Sequence, residues 1–233
     1  MQHTMIDLHT HILPQMDDGS KSPEETEKLL ALLSQQGVTE LAATPHFYAS
    51  RENPEDFLRR REDCIQKMPA QTGLQIHYGA EVAYFPGMQN CDVLTRLKIG
   101  SSNLLLVEMP FRSWTDRVIE DICAIPSQLG LIPVLAHVDR YRGLGQFNKY
   151  RHQLADNEVL FQCNAEAFER SLSCRWALKL IKEGFIDFLG SDCHNLTTRT
   201  PKLDMATEII KKKAGAEALA QLAETAAGWL HDE

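Results

Sequence analysis

Short apolar runs alternate along the chain with longer stretches whose apolar residues recur at helical spacing, which predicts repeated β-α units around a parallel sheet. Residues 5–9 read as a buried strand. Ser22-Pro23-Glu24-Glu25 predicts a helix start: Ser22 caps, Pro23 suits the first turn and Glu25 closes a capping box. Leu29, Leu30 and Leu33 form the apolar stripe of that helix, and Gly37 ends it. Further strands are expected over 39–44, 76–82, 104–109, 132–136, 159–164 and 186–190. Helices are expected from Asn53-Pro54-Glu55-Asp56 toward Lys67, over 115–129, 147–155 and 174–183, and in two pieces broken near Gly215 after Pro201. No internal repeat or linker-like composition interrupts the pattern, so one domain over 1–233 is expected. Residues 1–5 read as an extension, with Met5 an alternative start.

Composition narrows the class. At 43% hydrophobic residues the chain can bury a full core, and no apolar run approaches the ~18 residues needed to cross a bilayer, so no membrane span is expected. No basic stretch leads into an apolar one at the start, so no signal peptide is expected. The net charge of −8 argues against nucleic acid as a partner. The basic runs Arg59-Arg60-Arg61 and Lys211-Lys212-Lys213 lie in helical stretches flanked by acids and read as solvated faces. Six scattered cysteines without a Cys-x-x-Cys pair fit a reducing, cytoplasmic setting rather than a disulfide frame.

Seven short patches carry candidate chemistry: Asp7-Leu8-His9-Thr10-His11, Asp17-Asp18-Gly19, Thr44-Pro45-His46, Gly79-Ala80-Glu81, Val107-Glu108, Ala136-His137 and Ser191-Asp192-Cys193-His194. Histidine and carboxylate are the donors that hold divalent manganese, iron or zinc. His9 and His11 alternate around Thr10 and share one side of a strand end, where burial without a partner would be costly. His46, His137 and Asp192 each follow a predicted strand, and barrel enzymes place their sites at the C-terminal ends of strands. A closed ring of strands would gather these distant donors into one metal centre. Such a centre makes water nucleophilic near neutral pH, so the chain reads as a hydrolase.

The order Asp-x-His-x-His, Asp-Asp-Gly, Thr-Pro-His, Gly-Ala-Glu, Glu, Ala-His and Ser-Asp-x-His resembles the polymerase-and-histidinol-phosphatase (PHP) superfamily. Within it the chain resembles the manganese-dependent bacterial protein-tyrosine phosphatases of the CpsB/YwqE type, over about residues 5–201. Asp17-Asp18-Gly19 soon after His11, Glu108 before a proline, His137-Val138-Asp139-Arg140-Tyr141, and Asn195 with Arg199 after His194 favour that branch. The resemblance implies an α/β fold, a distorted, TIM-like (β/α)7 barrel with its metal site at the C-terminal strand ends. It implies three ions: one on His9, His11, Glu81 and Asp192; one on Glu81 as a bridge with Glu108 and His137; one on Asp18, His46 and His194. It also implies Arg140 and Arg199 as a phosphate clamp. Manganese is the expected metal, with iron, cobalt, zinc or magnesium as alternatives. The implied reaction is hydrolysis of phosphotyrosine by a metal-bridging hydroxide. The implied partner is a phosphotyrosine protein, the tail of a bacterial tyrosine autokinase that regulates capsule and exopolysaccharide synthesis. Cys193 departs from the pattern, where a small inert residue such as alanine is expected.

Competing readings attach to particular residues. Cys193 through Arg199 and Thr200 spells the Cys-x5-Arg-Thr string of cysteine-based tyrosine phosphatases, but residues 194–198 contain no glycine to free amides for a phosphate cradle. A PHP phosphomonoesterase acting on a small molecule such as histidinol phosphate is the second enzymatic reading, and a non-catalytic metal-binding scaffold the third. Asp7 reads either as a strand cap or as an orienter of a ligand, and Asp17 as a turn former beside Gly19. His3, His77, His152 and His231 read as structural or surface histidines. Asp139 or His194 could assist proton transfer, and Phe111-Arg112-Ser113-Trp114 reads either as a substrate rim or as packing.

Overall fold

The computed structural model of the chain describes residues 5–69 and 73–231, so His3 lies outside the described residues. The order is β1 (Met5–Thr10), α1 (Pro23–Gln35), β2 (Val38–Ala43), β3 (His46–Phe47), α2 (Pro54–Ile65), β4 (Gln75–Tyr78), β5 (Glu81–Ala83), β6 (Leu104–Glu108), α3 (Asp116–Cys123), α4 (Ile125–Leu129), β7 (Ile132–Leu135), α5 (Gln146–Ala155), β8 (Leu160–Asn164), α6 (Ser171–Lys182), β9 (Phe188–Gly190), α7 (Leu203–Lys213) and α8 (Ala216–His231). Every strand pairing among the described residues is parallel. β3 continues β2 beyond Thr44-Pro45, and β5 continues β4 beyond Gly79-Ala80. β2 pairs with β4 and β3 with β5, so the nine strands act as seven staves in sequence order. The ring closes where Asp192 N donates to His9 O at 2.8 Å and His11 N to Cys193 O at 2.9 Å. This is the expected TIM-like barrel of seven staves, distorted because the last seam forms only at the exit of β9.

Local chemistry explains the differences from expectation. Pro45 has no N–H to give a ladder, and it interrupts the second stave. The helix expected over 115–129 is two helices, because Pro126 cannot donate a helical hydrogen bond and disfavours helical geometry at Ile125. Ser22 caps α1 as expected, its hydroxyl accepting from Glu25 N at 3.3 Å, but the Glu25 carboxylate accepts from Lys21 N at 2.9 Å rather than from Ser22.

Side chains alternate across the staves and build two apolar layers. Leu8, Leu104, Leu106, Val134 and Phe188 fill the barrel interior, joined by Ala226 and Leu230 of α8. Leu41, Leu105, Val107, Leu135 and Phe161 face outward onto helices that include Leu29 and Leu33 of α1 and Phe147 of α5. α8 therefore plugs the end where the strands begin and leaves the opposite end for polar residues. No helix among the described residues is long and apolar enough to cross a membrane.

Gly190 shows how tightly the top of the interior is filled. A Cβ there would stand 2.6 Å from Gln162 Nε2 and 2.8 Å from His9 Cβ. Gly190→Ala is therefore expected to cost about 1–3 kcal/mol through overpacking, read as a lower midpoint in thermal melting; an unchanged midpoint would contradict the close approach.

Candidate metal centre

Each chemistry-bearing side chain sits where a strand gives out. In β1 the register with β2 breaks between Asp7 and Thr10, an irregularity of the kind that re-aims side chains at a barrel rim. Buried Asp7 holds that end down: its Oδ1 accepts from Ser191 N at 2.8 Å and His9 N at 3.3 Å. Burial pushes the Asp7 carboxyl up to about 6. His137 and Asp192, just past β7 and β9, take left-handed backbone angles with φ of 36° and 52°. Such angles are strained for residues with a Cβ and recur at functional sites.

Four donor atoms converge. His9 Nε2 and His11 Nε2 lie 3.0 Å apart. Glu81 Oε2 is 3.2 and 3.3 Å from them, and Asp192 Oδ1 3.6 and 3.4 Å. Glu81 turns its other oxygen to His137 Nε2 at 2.9 Å, with Glu108 Oε1 3.5 Å from the same nitrogen. His46 faces two ways, Nδ1 lying 2.8 Å from Glu81 Oε2 and Nε2 3.6 Å from Asp18 Oδ1. His194 Nε2 stands 3.4 Å from Asp18 Oδ1. The nine donors named from the sequence thus gather in one cluster around Glu81. The partition differs in detail: His46 groups with Glu81 and Glu108 as well as with Asp18, and His11 also joins the Asp18 group.

The residues fit divalent ions. Ligands at about 2.1 Å around a tetrahedral centre stand about 3.4 Å apart, and the five His9, His11, Glu81 and Asp192 separations span 3.0–3.6 Å. Glu81 Oε2 and His46 Nδ1 are buried without a hydrogen-bond partner although they lie 2.8 Å apart, an approach that a shared ion would satisfy. Outer partners hold the rings. Asp17 Oδ2 faces His11 Nδ1 at 2.7 Å, Gln162 Oε1 faces His9 Nδ1 at 3.2 Å, and the Asp192 carbonyl faces His194 Nδ1 at 2.9 Å. Each leaves Nε2 turned to the cluster, the arrangement that orients imidazole ligands.

The cluster is rich in negative charge. Among the described residues, Asp17, Asp18, Glu81, Glu108 and Asp192 between them form ion pairs with two guanidinium groups, those of Arg140 and Arg199. Burial alone would raise the Glu81 carboxyl, but the imidazoles of His9, His11, His137 and His46 hold it well below the usual range. Burial would likewise lower His137, yet Glu108 and Glu81 push it up to about 9, and Asp17 drives His11 well above the ordinary imidazole value. His194 behaves oppositely: burial, then His11 and Arg199, press it down to about 3. It is therefore the neutral imidazole at neutral pH, and Asp139 is engaged by Asn164 N at 2.9 Å.

Both arginines reach the mouth. Arg140 Nη2 donates to Asp192 Oδ2, and Arg199 Nη2 donates to Asp192 Oδ1 at 2.7 Å, each side chain about a third exposed. Asp17 is more than a turn former, since beyond accepting from Gly19 N at 2.9 Å it also accepts from His46 N at 2.9 Å and orients His11. Sequence reasoning missed Gln162 and Asn164. Gln162 Oε1 accepts from His137 N at 2.7 Å, Gln162 Nε2 donates to Asn164 Oδ1 at 3.0 Å, and Asn164 Nδ2 donates to Asp192 Oδ2 at 2.9 Å. The available signal was two amide side chains at alternate positions of the otherwise apolar β8.

The Cys-x5-Arg string does not form a phosphate loop. The amides of Thr197, Thr198 and Arg199 donate to Asn195 Oδ1 at 3.0, 2.8 and 3.1 Å, so they are not free. Burial, then Asp7, pushes the Cys193 thiol up to about 12, which leaves it protonated at neutral pH.

The sequence model for CpsB/CapC, capsular polysaccharide synthesis, matches residues 5–230. The chain belongs to the CpsB/CapC family. Among its relatives, the tyrosine-protein phosphatase CpsB of Streptococcus pneumoniae is 32% identical, with 94% of each chain covered. Tyrosine-protein phosphatase YwqE of Bacillus subtilis is 28% identical over 95% of this chain and 90% of the relative. A solved structure from work on YwqE and S. pneumoniae CpsB, described as unique metal-dependent tyrosine phosphatases, superposes with a TM-score of 0.83 at 24% identity, covering 98% of this chain and 95% of that one. Histidinol phosphate phosphatase of Lactococcus lactis shares the fold more distantly, with a TM-score of 0.55 at 14% identity, covering 91% and 94%.

For this CpsB/CapC member, raised His11 and His137 values mean that ion binding must displace protons. Calorimetric titration of metal-free protein with Mn²⁺ near pH 7.5 is expected to release protons, seen as an apparent enthalpy that changes with buffer ionisation enthalpy, and affinity is expected to fall toward pH 6. An enthalpy independent of buffer would contradict this account.

Proposed function

We propose that this chain is a metal-dependent protein-tyrosine phosphatase of capsular polysaccharide synthesis, acting on a phosphotyrosine protein such as the tail of a bacterial tyrosine autokinase. The observation that carries the reading is the Glu81-centred donor cluster with two guanidinium groups at its mouth on Asp192. The names of the relatives and the family description point the same way. Three manganese ions are the proposed complement, on His9, His11, Glu81 and Asp192; on Glu81, Glu108 and His137; and on Asp18, His46 and His194. When bound, such ions lower the pKa of water toward neutrality and polarise phosphoryl oxygens.

The chain's own groups have separable tasks. Glu81 sets the spacing of the donor groups, because its two oxygens face different imidazoles. Asp17 and Gln162 keep His11 and His9 turned inward. Arg140 and Arg199 hold planar forks at the mouth, suited to the non-bridging oxygens of an arriving phosphate. A tyrosine phenolate, with a pKa near ~10, departs with little protonation, which suits a site where His194 is a neutral imidazole rather than an imidazolium acid. Phe111, 55% exposed, lies nearly parallel to the His137 ring at 19° and 5.8 Å, and offers an apolar wall for an aryl group. Trp114 belongs to the packing instead: it is buried, with Nε1 donating to Pro110 O at 3.0 Å.

Chelation is expected to abolish activity and Mn²⁺ to restore it, with kcat/KM on a phosphotyrosyl peptide well above that on histidinol phosphate; a large preference for histidinol phosphate rejects the reading. Arg140→Ala and Arg199→Ala should each lower kcat by about 10²–10³-fold, as for loss of one electrostatic donor, with metal content kept. Cys193→Ala should change little, and its inactivation at full metal content would instead revive a thiol mechanism.

A further inference from the structure

A second group of donors converges at the opposite end of the barrel. Ala42 of β2 pairs in register with His77 of β4, so Glu40, two residues before Ala42, shares a face with His77. Both side chains are close to fully buried. His231, in the last turn of α8, reaches the same place from another element, its side chain 48% exposed. His77 Nε2 lies 3.1 Å and His231 Nε2 2.9 Å from one atom, Glu40 Oε2. Donor atoms of the three residues lie within 4.8 Å of one another.

We propose that Glu40, His77 and His231 form a further divalent-cation site, selective for zinc or cobalt, that staples α8 to the floor of the barrel. Two imidazole nitrogens and one carboxylate oxygen from three separate elements, with a fourth position open to water beside the exposed flank of His231, form the donor set of a three-ligand zinc site. Two nitrogens among three donors favour zinc or cobalt over magnesium or calcium, which prefer oxygen. The site is built in advance: a Cβ on Gly100 would stand 2.9 Å from His77 Nδ1, so the ring is seated against bare backbone and has little room to turn. α8 is the element that gains, since Ala226 and Leu230 already plug the interior and His231 follows directly. The inference is independent of the reaction at the other end.

The test counts ions. Metal-free full-length protein, His77→Gln and His231→Ala are each saturated with Zn²⁺, freed of excess and measured by elemental analysis. Each variant is expected to hold one zinc fewer per chain than the parent. Equal zinc content in parent and variants overturns the site and leaves a hydrogen-bonded triad. If His77→Gln fails to fold, Glu40→Gln, which preserves side-chain size, is read by the same criterion.

Discussion

Crowding of like charge is the constraint from which the rest of this molecule follows. Five carboxylates and five imidazoles occupy one largely buried space, and Glu81 and Asp192 at its centre have almost no access to water. Buried carboxylates at such separations repel strongly, because the interior screens poorly. The neighbouring carboxylates favour the protonated imidazoles of His11 and His137, and both guanidinium groups rest on Asp192. Divalent cations would satisfy the same demand with the geometry already in place.

Holding such a cluster together requires a frame that does not relax, and the barrel supplies it in layers. Outer-face residues lock the staves to the helices, and interior residues fill the lumen up to Gly190 and Gln162. Above that layer, polar pins replace apolar packing. Asp7 joins the ends of the first and last staves, and Gln162 and Asn164 relay between His9, His137 and Asp192. Those amides are positioning groups, and they explain how ligands on different staves keep a common aim.

Much of this was legible in the chain because metal donors come in short patches at strand ends, and strand ends are what an apolar run reveals. His9, His46, His137 and Asp192 could each be placed from a few flanking residues. The alternating elements announced the barrel for the same reason. What could not be read depended on partners distant in sequence. Gln162 resembles any polar residue in a strand until its contacts with His9 and His137 are seen. The dual aim of His46 depends on how the second and third staves are split at Pro45 and Gly79, which apolar periodicity does not report. Glu40, His77 and His231 are unremarkable singly, and only the docking of α8 unites them.

The seam at Asp192 has a consequence for biogenesis. The ring closes through the His9 carbonyl and the Asp192 amide, and the donors run from residue 9 to residue 194. A nascent chain still lacking Asp192 and His194 carries most of its histidines but has neither the last seam nor the central acid on which both arginines rest. The donor set and the seam that closes the ring are therefore complete only once the chain extends past residue 194.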